Sequence, residues 1–239
     1  MNLNEWLREE ARAYGVELDD RQLGQFSMYL DMLTETNKVM NLTAITEPRE
    51  VYVKHFLDSL SPAKAVNFGE VGSLIDVGTG AGFPGIPLKI AFPSLKVVLL
   101  DSLNKRVGFL REVTEKLGLE GVECVHGRAE EAARNPAFRE RFDVATARAV
   151  ARMNVLTEYV LPFVRVNGTF CAMKGAEVQE EVREAKRAFS LLGKATVRVE
   201  RLELPLSMGT RHLVVVRKNA PTPKAYPRKA GTPSRQPLV

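Results

Sequence analysis

The segment Leu74-Ile75-Asp76-Val77-Gly78-Thr79-Gly80-Ala81-Gly82-Phe83-Pro84-Gly85 constrains this chain most, because an apolar run leads through an acid into a cluster of glycines. A short apolar run ending in glycine predicts a buried strand, and the glycines let backbone turn sharply or approach a ligand closely. Phosphate-cradling turns rely on backbone N–H groups and disfavour a nearby anion. Asp76 instead stands at the strand end, where a ligand carrying an amino group or a sulfonium would meet it. The pattern therefore implies a site for S-adenosylmethionine that includes Asp76, Gly78 and Gly80. The same glycines satisfy the G-x-G-x-x-G dinucleotide pattern. Pro84 and Pro87, however, lack N–H groups where a pyrophosphate would need an unbroken helix start, which disfavours a nicotinamide cofactor.

After Gly69 apolar strands alternate with amphipathic helices. Strands are expected near Ser73 to Val77, Lys96 to Asp101, Val122 to His126, Phe142 to Ala147 and Gly168 to Met173. Helices are expected near Gly85 to Ala91, Asn104 to Leu117, Ala129 to Arg134, Arg152 to Val164 and Glu177 to Leu191. Such alternation predicts a parallel sheet covered on both faces. Thr196 to Glu203 and His212 to Arg217 read as two more strands joined by a loop with Pro205 and Gly209. The expected fold class is α/β: a Rossmann-like class I methyltransferase sheet, mostly parallel, with a terminal antiparallel hairpin and N-terminal helices.

Those helices should span Leu3 to Tyr14, Asp20 to Asn37, capped by Asp19 or Asp20, and Arg49 to Leu60, ended by Ser61-Pro62. The expected division is a helical appendage at 1–62 packed on the catalytic domain, a methyltransferase domain at 63–218, and a basic, proline-rich arm at 219–239. That arm carries Lys224, Arg228, Lys229 and Arg235 with no acid, and so holds most of the net charge of +5. Its five prolines around Tyr226 exclude an ordinary helix or central strand.

With 239 residues, 45% of them hydrophobic, the chain can supply a sizeable core. It has no apolar run of about 18 residues and no signal-like N-terminus, so a soluble, cytoplasmic protein is expected, without membrane contact. Cys124 and Cys171 lie in predicted strands without C-x-x-C spacing and read as small core residues. His55, His126 and His212 lack metal-ligand spacing, so no metal is expected.

In an open α/β sheet, ligands bind beyond the carboxyl ends of the strands. The second predicted strand ends at Asp101-Ser102, an acid suited to ribose hydroxyls and equally to capping the next helix. The third leads into Ala129, whose backbone can donate to adenine, and Glu130, an acid in a first helical turn. The fourth ends at Arg148, which would set a cation beside the methyl donor. A sulfonium repels a cation, so Arg148 should face something negative, either the donor's carboxylate or a nucleic-acid phosphate, in a positioning role.

Several blocks together resemble the RsmG family, also called GidB: Asn37-Lys38-Val39-Met40-Asn41-Leu42-Thr43, His55-Phe56-Leu57-Asp58-Ser59-Leu60, and the turn from Asp76 to Gly85. The similarity continues through Asp101-Ser102-Leu103-Asn104-Lys105-Arg106, Gly127-Arg128-Ala129-Glu130, Arg148-Ala149 and Tyr226-Pro227-Arg228-Lys229-Ala230-Gly231-Thr232-Pro233. The resemblance implies a bacterial methyltransferase acting on N7 of a guanine in 16S ribosomal RNA, with S-adenosylmethionine as cofactor and the small ribosomal subunit as partner. It implies cofactor contact by Gly78, Phe83, Asp101, Ser102, Leu103, Ala129, Glu130 and Arg148, with Phe83 walling the methionine portion. A monomer is expected.

Neutral guanine carries a lone pair and no proton at N7, so transfer needs alignment and no general base. Candidate RNA contacts are Lys105, Arg106, Lys174 and Arg211. On the arm they are Lys224, Tyr226, Arg228, Lys229 and Arg235, whose charge and aromatic ring suit an extended chain lying along RNA. A non-catalytic RNA-binding assembly factor is the alternative, opposed by the intact glycine turn and the two acidic sites after it. A nicotinamide oxidoreductase and a methyltransferase for small molecules or proteins are the enzymatic rivals.

Overall fold

Helix α1 (Leu3–Arg12) starts where the Asn2 side chain accepts from the Asn4 amide, and α2 (Asp20–Met40) starts at a reciprocal capping box between Asp19 and Gln22. Asp19, of the two acids considered, is thus the cap. The structure, a computed structural model, describes residues 2–239. Where one plain helix was expected next, helical turns run as α3 (Pro48–Val51), a π-helical stretch (Tyr52–Leu57) and α4 (Asp58–Leu60).

Seven strands follow: β1 (Ser73–Val77), β2 (Lys96–Asp101), β3 (Val122–His126), β4 (Phe142–Arg148), β5 (Val164–Lys174), β6 (Thr196–Glu203) and β7 (Thr210–Arg217). They form one sheet of order β3-β2-β1-β4-β5-β7-β6, with β7 antiparallel to both β5 and β6 and the other pairs parallel. The expected mostly parallel sheet with a closing hairpin is borne out. Between strands lie α5 (Gly85–Ala91), α6 (Asn104–Lys116), α7 (Ala129–Ala132), α8 (Met153–Val160), α9 (Gln179–Glu184) and α10 (Lys186–Gly193). Helix α8 is shorter than expected because Pro162 lacks an amide hydrogen, and a 3-10 turn at Leu161–Phe163 takes over. Among the described residues no helix is long and apolar enough to cross a membrane.

Strand alternation sorts the core onto two faces. Leu74 and Leu99 pack with Phe26, Tyr29 and Phe56 of the N-terminal helices, whereas Ile75, Val77 and Leu100 pack with Phe163, Phe170 and Val214. Asp76, one step beyond Ile75, therefore turns toward the N-terminal helices. Strand order reverses between β1 and β4, which opens a crevice at the carboxyl ends of the strands there.

The proline-rich arm does not lie free as an extended strand. Arg139 holds the carbonyl oxygens of Thr222 at 2.9 Å and Tyr226 at 2.8 Å, while Pro233 and Leu238 are buried. Its one helical turn is α11 (Thr232–Arg235). Arg228, expected on RNA, donates through Nε and Nη2 to Glu158 at 2.9 and 2.6 Å, and Glu158 is 0% exposed. A carboxylate that deep needs a partner charge, and the arm supplies it. Arg228→Ala should therefore lower folding stability by about 3 kcal/mol in urea titrations, an effect far larger than an exposed RNA contact would give.

Candidate active site

The glycine turn after β1 is held by two carboxylates. Asp76 Oδ2 accepts from Thr79 Oγ1 at 2.6 Å and Gly85 N at 2.8 Å, and its Oδ1 accepts from Thr146 Oγ1 at 3.3 Å. With 0% exposure, Asp76 braces the turn from inside, its oxygens directed to Thr79, Gly85 and Thr146 where the sequence expectation had them directed at a ligand. Burial pushes its carboxyl up to about 6, against the pull of the Thr79 and Gly85 hydrogen bonds. On the open side Asp101 Oδ2 accepts from Gly80 N and Oδ1 from Leu103 N, both at 2.9 Å. Each oxygen keeps a further lone pair, so capping and ligand contact are compatible. Gly78 has φ +69°, and a Cβ there would lie 2.7 Å from Val150 Cγ2. Gly80 has φ +62° and open space where its side chain would be.

Gly78, Asp101, Ser102, Ala129, Glu130 and Tyr159 line a cleft of about 140 Å³. No side chain caps α7, which leaves its first turn for a ligand acceptor. Leu103 stands 52% exposed just past Asp101, an apolar group without cover. Glu130 is buried and accepts from Gly231 N at 2.9 Å, so the C-terminal arm reaches the edge of this cleft. Tyr159 went unnoticed in the sequence because an aromatic residue in an apolar helix reads as core. The donor set fits a nucleoside: spare carboxylate lone pairs for vicinal hydroxyls, an uncapped helix start for a ring nitrogen, and apolar walls from Val77 and Leu100.

Arg148 lies on the other side of the β4 end. Its Nη1 donates to Asp58 Oδ2 and to the Lys54 carbonyl, each at 3.0 Å, and its Nη2 to His55 Nδ1 at 3.1 Å. The negative group facing it in this structure is Asp58 of this chain, and Arg148 still reaches the cavity beside it. Arg148 can only donate, so His55 Nδ1 accepts, and its Nε2–H donates to Thr43 Oγ1 at 2.8 Å. Burial, reinforced by the Arg148 charge, pulls the imidazole down to about 3. Phe83 is buried with its ring stacked on His55 at 4.5 Å, under the Arg148 guanidinium at 5.0 Å. Its ring serves this stack and lies outside the lining of the cleft beside Asp101.

His55 and Asp58 carry no functional signal of their own in the sequence. A usable signal was Asp58, Ser59 and Ser61 together inside an otherwise apolar helical run. His55, Asp58 and Arg148, together with Lys174 and Arg211, line a second cavity of about 460 Å³. Lys174 Nζ reaches Glu181 and the Ala151 carbonyl, both at 2.6 Å. Of the other proposed RNA contacts, Lys105, Lys224, Lys229 and Arg235 are exposed, and Tyr226 is half-buried. Arg106 sits 3.7 Å from Asp101. Among the described residues no group of three or more His, Cys, Asp or Glu could hold a metal ion.

A cleft at the switch point of a sheet ordered this way is the arrangement of the class I methyltransferase fold. An O-methyltransferase from Bacillus cereus, solved in complex with SAH, shares it with a TM-score of 0.57 at 16% identity, over 80% of this chain and 91% of that one. The chain belongs to the family GidB: rRNA small subunit methyltransferase G, whose profile matches residues 22–214. The ribosomal RNA small subunit methyltransferase G of Exiguobacterium sp. is 54% identical over 100% of both chains. That of Brevibacillus brevis is 51% identical over 98% of this chain and 99% of its own.

Two buried groups of the site set opposing pH slopes. His55 binds its proton only when unfolded, so it costs stability as pH falls below about 6.5. Asp76 keeps its proton to higher pH in the fold, so its contribution grows as pH falls from about 6 to about 4. Asp76→Asn removes that compensation. In urea titrations at stepped pH, the variant should lose about 1.4 kcal/mol more per pH unit than the unsubstituted protein across that window.

Proposed function

We propose that this protein transfers a methyl group from S-adenosylmethionine to N7 of a guanine in 16S rRNA of the small ribosomal subunit, by positioning and without a general base. Identity of 54% along the whole chain to a protein named as a small-subunit rRNA methyltransferase carries this reading. The cleft at Asp101 supports the donor. There Asp101 would hold the ribose hydroxyls, the first turn of α7 the adenine edge, and Leu103 a face of the base. Close backbone approach at Gly78 and Gly80 would seat the remainder. When bound, S-adenosylmethionine supplies a methyl group on a positively charged sulfur.

The neighbouring residues suit transfer to a group that is already nucleophilic. His55 is locked neutral between Arg148 and Thr43, and Asp76 is sealed inside the turn. Neither is free to accept a proton from a substrate. Arg148 sits near the sheet rim, yet Asp58 neutralises it, so it would not repel the sulfonium. Its role is to hold the rim in place. Lys105, Lys224, Lys229 and Arg235 would meet RNA phosphates, and a ribosomal substrate puts the reaction in the cytoplasm.

Incubation with labelled donor and small subunits lacking the modification should place the label on N7 of one guanine in 16S rRNA. Label only on protein or small metabolites would overturn the proposal. Single-turnover rates should stay flat between about pH 7 and 9, since no proton is removed from the acceptor. Asp101→Ala strips the acceptor from Gly80 N and Leu103 N and should weaken donor binding at least about tenfold by calorimetry, a loss on the order of 1.4 kcal/mol.

A further inference from the structure

The donor cleft and the larger cavity flank one strand end. Val150 lines the cleft and Ala149 lines the cavity, so whatever fills the cavity lies across this short segment from the donor. Four cations, Lys54, Arg148, Lys174 and Arg211, outnumber by one the three carboxylates beside them, Asp58, Glu181 and Glu50, around a neutral His55. That excess suits a phosphodiester. Three of the cations are engaged: Arg148 by Asp58, Lys54 by Glu50, and Lys174 by Glu181. Arg211 is held loosely. Its Nε lies 3.5 Å from Asp58 Oδ1, its Nη1 donates to the adjacent Thr210 carbonyl, and its side chain is 25% exposed. Asp58 Oδ1 is buried and has no hydrogen-bond partner, while Oδ2 is held by Arg148. A carboxylate oxygen left so is an acceptor awaiting a donor.

We propose that this cavity receives the acceptor nucleotide, with Asp58 Oδ1 accepting from the N1–H and 2-amino edge of guanine as Arg211 turns from Asp58 to the nucleotide's phosphate. The proposal rests on the rRNA reaction above and adds the seat of its substrate. Guanine's N1 edge lies across the ring from N7, so a base held there leaves N7 unobstructed toward the donor. An arginine fork on O6 and N7 would block that atom. Adenine has no N1–H to offer Asp58, so the same contact selects between the purines.

The test uses the full chain and small subunits lacking the modification. Arg211→Gln should keep donor affinity within about twofold by calorimetry, raise KM for subunits at least about tenfold, and flatten the log–log salt dependence by about 0.7–0.9. Subunits rebuilt with inosine at the labelled position lack only the 2-amino group. The unsubstituted enzyme should favour guanosine over inosine, and Asp58→Asn should bring that ratio close to one. Should Asp58→Asn melt below the assay temperature, Arg211→Gln decides alone. If rRNA is methylated but Arg211→Gln keeps the original KM and salt slope, the cavity assignment is overturned and the rRNA reaction stands. If the unsubstituted enzyme labels no rRNA, the reaction itself fails.

Discussion

The site depends on two buried carboxylates at neighbouring strand ends that hold one glycine turn between them. Asp76 grips the turn from the core through Thr79 and Gly85, and Asp101 grips it from the solvent side through Gly80. Burying a carboxylate is costly, but each hydrogen bond to the charged form returns about 1.5–3 kcal/mol. The glycines then adopt positive φ without a side chain to refuse it. Once the turn is fixed, the cleft between Asp101, Ala129 and Glu130 has a defined floor. A loop held by its own backbone alone would offer a ligand no such surface.

A second constraint joins the N-terminal helices to the sheet. The π-helical stretch lets the Lys54 carbonyl, His55 and Asp58 all face Arg148 at the end of β4. This widened turn is a local cost that the ion pair and the Phe83 stack offset. The N-terminal segment thereby becomes one wall of the cavity beside the donor cleft. At the opposite edge, the C-terminal arm delivers Arg228 to Glu158 and Gly231 to Glu130. Both ends of the chain are thus built into the surroundings of the site.

Much of the fold was legible because its signals are local. Apolar runs such as Val97 to Leu100 end at an acid, and Pro and Gly mark the boundaries, so every strand was located from the sequence. Asp101, Ser102, Ala129 and Glu130 stand out for the same reason, since each sits where a strand stops, and the structure brings them to one cleft. Asp76 was misjudged in orientation, because period-two alternation fixes the face of a side chain only once the layers on each face are known. Arg228 was not separable from its neighbours on the arm, because a run of cations looks the same whether a member's partner is RNA phosphate or a buried glutamate.

By itself, the sequence determined the order of strands and helices, the glycine turn and the positions of the strand-end acids. These follow from residue type and spacing along the chain. Only the tertiary structure decided that Arg148 pairs with Asp58, that Arg228 pairs with Glu158, and that Phe83 stacks on His55. Those partners are separated by 90, 70 and 28 positions of chain. Charge and aromatic character do not say which distant group will share a low-dielectric pocket. That choice belongs to packing, since a buried ion requires its partner within a few ångströms and folding alone brings them there.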